Sequence, residues 1–331
     1  MPARSSVVDD GNLIVFGGRS STELTRRICT VLDMQPGGAR VSEFPDGEIF
    51  VKLDEDVRGK DCYVVVSICE PVNNNLMELL IYIDTMRRAS AGRITVVMPY
   101  MGYARQDRKD EGRVPITAKL VANLITAAGA HRVLALDLHA AQIQGFFDLP
   151  VDHLSATPEF IKYFRSCREA LGELCLVSPD VGNVKVAEGM ANKLGGDLAI
   201  INKRRLSGSK VETGNLIGDV KGKTVLMFDD MISTAGTVCE AAKLVMDKGA
   251  KDVIAAATHP VLVGPAVERL LASPISKIVV CNTIPFAERT RPLKDKLVEL
   301  CVGSLLGQAV LRIHTNQSVS ALFKDTAGPK R

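Results

Sequence analysis

The segment 225–238 constrains the fold more than any other part of the sequence. It begins with the apolar run Val225–Phe228, continues through the adjacent acids Asp229 and Asp230, and then enters the small, hydroxyl-rich turn Ser233–Thr237. A helical pattern starts at Val238. A short continuous apolar run bounded by turn residues is typical of a strand buried on both faces of a parallel sheet. The segment therefore predicts a strand, a tight loop and a helix in an α/β protein.

This loop has the features of a phosphate site. Small residues let backbone N–H groups approach an anion, hydroxyls donate further hydrogen bonds, and the helix N-terminus attracts negative charge. The residues predicted to hold the phosphate are Ser233, Thr234, Ala235, Gly236 and Thr237. Carboxylates repel phosphate, so Asp229 and Asp230 suit sugar hydroxyls or a metal ion instead. Together these residues indicate a site for a sugar phosphate.

The competing interpretation is a strand-to-helix turn without a ligand. The adjacent carboxylates argue against it, because two acids at the end of a buried strand repel each other unless something binds there. The Walker pattern for nucleotide triphosphates is absent, since no Gly-Lys-Ser/Thr follows at the required spacing. The segment instead resembles the fingerprint of the type I phosphoribosyltransferase fold.

Composition predicts a globular protein with a large core. The chain has 331 residues and 46% hydrophobic residues, which fits about two domains. A net charge of +3 gives no reason to expect a nucleic-acid partner. The eight cysteines are scattered without a CxxC pair, so we expect reduced and mostly buried thiols.

The expected location is the cytoplasm. Residues 1–12 lack the apolar core of a signal peptide. No apolar run approaches the roughly 20 residues that a membrane-spanning helix needs. We therefore expect no membrane association.

Strand patterns alternate with helical patterns along the chain. The predicted strands are Leu13–Gly17, Tyr63–Ile68, Arg93–Pro99, Arg132–Leu138, Leu174–Ser178, Leu198–Ile201, Val225–Phe228, Asp252–Thr258, Lys277–Asn282 and Leu297–Val302. The predicted helices are Thr22–Leu32, Asn74–Ala91, Pro115–Ala128, Val184–Leu194, Pro265–Leu271 and Gly303–His314. Such alternation predicts parallel sheets with right-handed crossovers and ligands at the carboxyl ends of the strands.

A weak internal repeat suggests two similar domains. Gly129–Val133 and Gly249–Val253 share a Gly-Ala, two polar residues and a Val between a helix and a strand. We expect an N-terminal domain over 1–156 and a C-terminal domain over 157–323, each a mostly parallel sheet flanked by helices. The tail 324–331 is predicted to be disordered.

Polar residues follow several predicted strands, at the edge where α/β proteins bind ligands. In the charged stretch 100–113, Arg105 and Gln106 come earliest after the strand and are the best-placed binders, although such runs are usually solvated loops. Asp137 and His139 are two residues apart in a predicted strand and so share a side, where they could hold a metal or a structural contact. Asp180 follows another strand, as a helix cap or a metal ligand.

Two further segments are candidates for ligand binding, and the sequence supports them to different degrees. Asn202–Arg205 supplies consecutive basic residues before a Ser/Gly-rich loop, which suits a mobile clamp on phosphates or, more simply, a solvated turn. Glu43–Glu48 contains Pro and Gly and predicts a loop or hairpin. Spacing alone favours a plain turn there.

These segments together closely resemble the ribose-phosphate diphosphokinases, also called phosphoribosyl pyrophosphate synthetases. The resemblance extends from about Phe16 to Phe323. The motifs that carry it are FPDGE at 44–48, ARQDRKD at 104–110, DLHAAQIQGFFDLPVDHL at 137–154, SPDVG at 178–182, NKRR at 202–205 and DDMISTAGT at 229–237. Six motifs in the same order leave little room for chance.

The resemblance implies a reaction and its sites. The diphosphoryl group of ATP would pass to the C1 hydroxyl of ribose 5-phosphate, giving AMP and phosphoribosyl diphosphate. ATP would contact Phe44, Asp46, Glu48, Arg105 and Gln106, with the FPDGE loop reaching from a neighbouring subunit. His139 and Asp180 would match Mg²⁺ positions, and Lys203 and Arg205 would close over the transferring group.

The ribose and its phosphate would occupy the segment 229–237. Asp229 and Asp230 would hold the ribose hydroxyls and associated Mg²⁺, and Ser233 to Thr237 would bind the 5-phosphate. The resemblance also implies a homo-oligomer, commonly a hexamer built from dimers. Regulation by ADP and inorganic phosphate is left open by the motifs.

Two departures from the family pattern stand out. Ser233 occupies a position where many members have Asp, which removes a carboxylate beside the 5-phosphate and supplies a hydroxyl. Gly17-Gly18-Arg19-Ser20 replaces the more polar turn usual after the first strand, and the sequence assigns no consequence to it.

Two other functions compete with the synthetase. A phosphoribosyltransferase would use the same sugar-phosphate loop, but it needs neither ARQDRKD, DLH nor a second α/β half. A non-catalytic regulatory homologue would lose the basic residues or the acids. Here Lys203, Arg205, Asp229 and Asp230 are all present.

Overall fold

The structure, a computed structural model, describes residues 11–179, 184–202, 215–286 and 288–326. The strands are β1 Leu13–Gly17, β2 Ala39–Glu43, β3 Ile49–Leu53, β4 Asp61–Val65, β5 Arg93–Met98, β6 Arg132–Leu136, β7 Val151–Leu154, β8 Leu174–Ser178, β9 Asp197–Asn202, β10 Asn215–Ile217, β11 Thr224–Met231, β12 Asp252–His259, β13 Lys277–Cys281 and β14 Leu297–Leu300. The α-helices are α1 Thr22–Val31, α2 Val72–Arg88, α3 Thr117–Ala128, α4 Thr157–Ser166, α5 Arg168–Leu171, α6 Val184–Leu194, α7 Gly236–Asp247, α8 Ala266–Ala272 and α9 Gly303–His314.

The chain forms two compact units. The first contains the chain up to Ala156, with 283–285 and 301–324, and the second contains 157–282 and 286–300 together with the chain from Asp325 onward. The predicted C-terminal domain covered 157–323, whereas α9 lies in the first unit. Helix α9 packs on α1, where glycines allow close approach: a Cβ on Gly307 would lie 2.9 Å from the Val31 Cβ. This contact between distant segments leaves no local pattern in the sequence.

The first unit is built on a parallel sheet. Among the described residues it has five strands in the order β1-β4-β5-β6-β7, and each neighbouring pair is parallel. Val64 and Val96 on one face pack in a buried cluster with Leu79 of α2 and Val121 of α3. The strand order runs in one direction without reversal.

Strands β2 and β3 form a separate antiparallel hairpin in the first unit. They pair with each other, Val41 opposite Val51, and in the described chain neither joins the five-stranded sheet. β3 packs on α2. The predicted loop or hairpin at this position is a hairpin.

The second unit is built on a mostly parallel sheet whose order reverses. Within the described ranges it has seven strands in the order β10-β9-β8-β11-β12-β13-β14, with β10 antiparallel to β9. The chain leaves β8 in one direction towards β9 and leaves β11 in the other towards β12. Open α/β sheets bind ligands at such a reversal, outside the carboxyl ends of the strands.

The structure extends or shortens several predicted elements. The predicted strand Val225–Phe228 continues to Met231, because pairing with β12 persists through Asp229–Ala257 and Met231–His259. The acidic pair therefore lies within the end of β11. The predicted strand Arg132–Leu138 stops at Leu136, and Asp137 has a φ of 37°. The alternation used to place Asp137 and His139 on one side is therefore wrong.

At the end of the described chain, residues 324–326 belong to a 3₁₀ helix over Val319–Thr326, where a disordered tail was predicted. The rest of that predicted tail, 327–331, lies outside the described residues. In the part of the chain that the structure describes, no helix is both long and apolar enough to cross a membrane.

Candidate active site

The segment 229–237 is anchored in the core of the second unit at both ends. β11 pairs with β8 on one side and β12 on the other, and its residues from Thr224 to Phe228 are buried. The half-buried Asp229 and Asp230 follow the last residue of β11 that pairs with β8, Met227, while pairing with β12 continues to Met231. The Asp230 N–H donates to Asp229 Oδ1 at 2.9 Å, which holds one carboxylate against the backbone. The acids therefore stand at the carboxyl edge, beside the reversal in strand order.

Backbone hydrogen bonds fix the turn that follows. The Ile232 N–H donates to His259 O at 3.0 Å and the Leu262 N–H donates to Ile232 O at 2.9 Å. The Val263 N–H donates to Ser233 O at 3.1 Å. Because these bonds join main-chain groups, the path of the turn depends little on which side chain occupies position 233. Ser233 itself is half-buried.

Helix α7 begins inside the predicted phosphate loop. Its N-cap is Ala235, which is buried and left-handed with a φ of 59°. Alanine has no side-chain acceptor for the N–H groups of the first turn, and a helix N-terminus with such donors attracts anions. The helix starts at Gly236, two residues before the predicted start at Val238. The predicted phosphate-binding residues are therefore brought together around this helix end.

Arg269 of α8 contacts the same loop. Its Nη1 donates to Thr234 O at 3.1 Å, and a Cβ on Gly236 would lie 3.2 Å from that nitrogen. Arg269 also lines a surface depression of about 510 Å³ beside α7, together with Lys243 and Glu240. Sequence reasoning missed Arg269, because it lies 35 residues from the loop in the sequence.

Cys239 lies one turn into α7 and is buried. Burial raises the pKa of its thiol, with a smaller opposing contribution from a hydrogen bond with Ser273. A protonated, buried thiol is a poor nucleophile. This cysteine therefore has a packing role beside the loop.

The predicted nucleotide residues of the first unit lie partly on the β2–β3 hairpin. Its turn is closed by the Phe44 N–H donating to Glu48 O and the Gly47 N–H donating to Phe44 O, both at 2.8 Å. Asp46 Oδ1 accepts the Glu48 N–H at 3.2 Å. Phe44 is 51% exposed and meets Phe50 edge to face with ring centroids 5.9 Å apart. An exposed aromatic ring on a hairpin tip suits stacking on a flat ligand.

Arg105 and Gln106 lie on the loop after β5, as predicted from their position. Both are exposed, while Ala104 before them is buried. The Ala118 N–H donates to Gln106 O at 3.1 Å, and the Thr117 hydroxyl donates to Gln106 Oε1. These bonds attach the loop to the start of α3. Gln106 is thereby fixed against the start of α3, and Arg105 is the exposed residue directly before it.

His139 is exposed and follows a constrained turn. Asp137 Oδ2 accepts the Ala156 N–H at 2.9 Å, and the Leu138 N–H donates to His153 Nε2 at 3.0 Å. Burial lowers the pKa of His153, which keeps its ring neutral and able to accept this bond. The sequence singled out His139 but not His153, whose role depends on pairing between β6 and β7.

Three predicted residues, Asp180, Lys203 and Arg205, lie outside the described residues. Across the described ranges, no group of three or more His, Cys, Asp or Glu side chains is arranged to hold a metal ion. Mg²⁺ commonly uses one or two carboxylates and completes its shell with waters and substrate phosphates. The oxygen donors of Asp229 and Asp230 fit that mode of binding.

Comparison with known proteins identifies the family. Residues 13–129 match the family model for the N-terminal domain of ribose phosphate pyrophosphokinase, and residues 200–324 match the phosphoribosyl synthetase-associated domain. The chain is 56% identical to a ribose-phosphate pyrophosphokinase from Rhodopirellula baltica over 95% of this chain and 99% of the relative. It is 47% identical to one from Bacillus subtilis over 96% of this chain and 99% of the relative.

Comparison with a solved structure supports the same family. The phosphoribosylpyrophosphate synthetase from Mycobacterium smegmatis superposes with a TM-score of 0.86 at 44% identity, covering 92% of this chain and 99% of that one. Both the sequence relatives and this structure span nearly the whole chain. The chain therefore belongs to the ribose-phosphate pyrophosphokinase family.

Proposed function

We propose that this protein transfers the diphosphoryl group of ATP to the C1 hydroxyl of ribose 5-phosphate, giving 5-phosphoribosyl 1-diphosphate and AMP. The observation that carries the proposal is the segment 229–237, where paired acids at a strand end lead into a small-residue helix N-terminus at the reversal of the sheet. Membership of the family supports the same reaction. The product supplies nucleotide biosynthesis.

Ribose 5-phosphate occupies the end of β11 and the start of α7. The 5-phosphate accepts hydrogen bonds from the N–H groups and hydroxyls of Ser233–Thr237, where the helix dipole also favours it. Asp229 and Asp230 accept hydrogen bonds from the ribose hydroxyls. Charge-assisted bonds of this kind are stronger than neutral ones. The acids thus orient the sugar while the helix end holds its phosphate.

ATP contacts Phe44, Asp46 and Glu48 of the hairpin together with Arg105 and Gln106. The Phe44 ring is exposed and offers a stacking surface for the adenine, and the Arg105 guanidinium offers charge to the phosphates. The hairpin reaches a neighbouring subunit, so the protein acts as a homo-oligomer, a hexamer built from dimers. ADP and inorganic phosphate are candidate regulators.

Mg²⁺ is the cofactor that the donor set fits. His139 and Asp180 would hold the ion near the ATP phosphates, and Asp229 and Asp230 would hold it near the ribose. Because Mg²⁺ prefers oxygen ligands and keeps waters, His139 would contact the ion partly through a water. When bound, the ion neutralises charge that develops on the phosphate oxygens.

The chemical step depends on positioning and on charge. The C1 oxygen attacks the β-phosphorus in line with the leaving AMP, so one P–O bond forms as another breaks. Lys203 and Arg205 close over the transferring group and stabilise its oxygens. No residue is assigned as a dedicated general base.

The test is AMP release from ATP, Mg²⁺ and ribose 5-phosphate by the purified protein, with and without inorganic phosphate. We expect AMP only when the sugar phosphate is present. A phosphoribosyltransferase would instead consume phosphoribosyl diphosphate with a base. Folded protein that releases no AMP under either condition would support a regulatory homologue and reject the proposal.

A further inference from the structure

Arg19 lies in the turn that departs from the family pattern, directly after β1. Its backbone N–H donates to Glu78 Oε1 at 2.8 Å and its Nε donates to Glu78 Oε2 at 2.6 Å. Its Nη1 donates to Glu43 Oε1 at 2.6 Å. One side chain therefore joins a helix of the first unit to the last residue of β2, next to Phe44.

The two carboxylates that Arg19 contacts differ in burial. The Glu78 side chain is 0% exposed, whereas those of Glu43 and Arg19 are 41% and 42% exposed. A buried carboxylate requires a charge partner, because an uncompensated buried charge is strongly destabilising. The guanidinium is consequently held by Glu78, and its pKa is raised above the usual value chiefly by that bond. Glu43 then binds a cation whose position is already fixed.

The hairpin has a second ion pair, in which both side chains are exposed. Arg40 Nη2 lies 3.0 Å from Asp54 Oδ1, with side chains 71% and 39% exposed. Both of its partners lie in or beside the hairpin, so it does not connect the hairpin to the rest of the unit. Exposed pairs of this kind contribute little to stability. In the described part of the chain, Arg19 provides the ionic link from the hairpin to a buried group.

We propose that Arg19 is a positioning residue for ATP: it ties the hairpin to the buried carboxylate of Glu78 and so sets where the Phe44–Glu48 loop is presented. This inference rests on the proposed contact between that loop and ATP. The planar fork of arginine suits it, since one nitrogen faces each carboxylate. The departure at position 19 thereby acquires a function through the neighbouring motif.

The first test is Arg19→Ala, assayed by AMP release in the assembled protein. We expect the KM for ATP to rise about tenfold, because the charge-assisted contact that ties Glu43 and the hairpin to the unit is lost, while the KM for ribose 5-phosphate changes less than about twofold. A residue with a purely structural role would affect both substrates or neither. Size-exclusion chromatography and thermal unfolding establish that the assembly and the fold persist.

Two further variants keep the test informative if Arg19→Ala fails to fold. Arg19→Lys retains a cation beside Glu78 but cannot span both carboxylates, so we expect a stable protein with a raised KM for ATP. Glu43→Ala removes the contact at the hairpin and leaves Glu78 paired. The double variant Arg19→Ala/Glu43→Ala should have a KM for ATP no higher than that of Arg19→Ala alone, because both changes break the same link.

Arg40→Ala is the matched control, since it removes a hairpin arginine that has no buried partner. It should leave both KM values unchanged. If Glu43→Ala leaves the KM for ATP unchanged while Arg19→Ala raises it, Arg19 touches the substrate directly and the inference is wrong. If Phe44→Ala also has no effect on that KM, the proposed nucleotide role of the loop fails, which is a separate outcome.

Discussion

The phosphate segment 229–237 and the β2–β3 hairpin are held in different ways. The segment begins in β11, between two neighbouring strands, and main-chain hydrogen bonds fix its turn. The hairpin pairs only with itself among the described strands, and the ion pair between Arg19 and Glu43 and packing on α2 attach it to the unit. Main-chain anchoring tolerates changes of side chain, whereas side-chain anchoring does not. The proposed ribose site should therefore be rigid, and the proposed nucleotide site should be sensitive to single substitutions away from the ligand.

The sheets differ in a matching way. The order of the second sheet reverses between β8 and β11, and open α/β sheets bind ligands at such a reversal. The first sheet has no reversal among its described strands, and its candidate nucleotide residues lie on an added hairpin and on the loop after β5. The proposed ribose site thus depends on the topology of its sheet, and the proposed nucleotide site depends on elements added to its sheet.

The largest effect is expected at the strand end. Asp229→Asn should lower kcat/KM for ribose 5-phosphate by about 100-fold, since charge-assisted hydrogen bonds to the ribose hydroxyls become neutral. Steady-state AMP release measures it. The matched control is Asp252→Asn, at the amino end of neighbouring β12, where the carboxylate accepts the N–H of Val253 at 2.8 Å. Unchanged affinity in Asp229→Asn would remove this residue from the sugar site.

The sequence predicted the buried elements well because their apolar pattern is local. β1, β8, α6 and α9 have the predicted bounds, and their inward residues are buried. It missed β7, whose residues Val151 to His153 are only half-buried and carry a weak pattern. It also placed the acidic pair after β11, because charged residues look like turn residues when pairing is unknown.

The candidate site was predicted where its residues are consecutive. The segment 229–237 and the hairpin tip were both recognised from motifs. Arg19, Arg269 and His153 were missed as supporting groups because their partners are 59, 35 and 15 residues away in the sequence. Such groups come together only when the chain folds, so their contacts cannot be predicted from spacing in the sequence.

The support of the phosphate loop can be tested at Arg269. Arg269→Ala should raise the KM for ribose 5-phosphate about tenfold, because Thr234 O loses its charged donor. The KM for ATP and the melting temperature should stay nearly constant. Lys243→Ala is the control, as it removes another cation from the same depression. If both variants raise KM equally, net charge and not the contact with Thr234 is responsible.

The hairpin tip should show a smaller effect. Phe44→Ala should raise the KM for ATP about fivefold, consistent with the loss of one exposed stacking contact. Stability should change little, because the Phe44 ring is 51% exposed. Phe50→Ala removes the ring that packs against Phe44 and should have a weaker effect. Equal increases in the two variants would assign the loss to the shape of the hairpin.

The smallest expected effect is on the pH dependence of stability, which should differ in sign between the two units. Burial lowers the folded-state pKa of His153 in the first unit below 6.5. Below that value the unfolded state binds more protons than the folded state, so stability is lost as pH falls. Burial raises the folded-state pKa of Glu159 in the second unit above 4.5. At pH values just above 4.5 the folded state binds more protons than the unfolded state, so stability is gained as the pH falls towards 4.5.

Urea unfolding at about pH 7 and about pH 5 separates these contributions. His153→Gln keeps an acceptor for the Leu138 N–H but does not titrate, so its stability should fall less on acidification than that of the parent. Glu159→Gln removes the opposing contribution and should make the fall steeper. Hydrogen exchange at β6 and α4 assigns each change to its unit. If the two variants shift the pH dependence in the same direction, burial does not control these groups as their surroundings indicate.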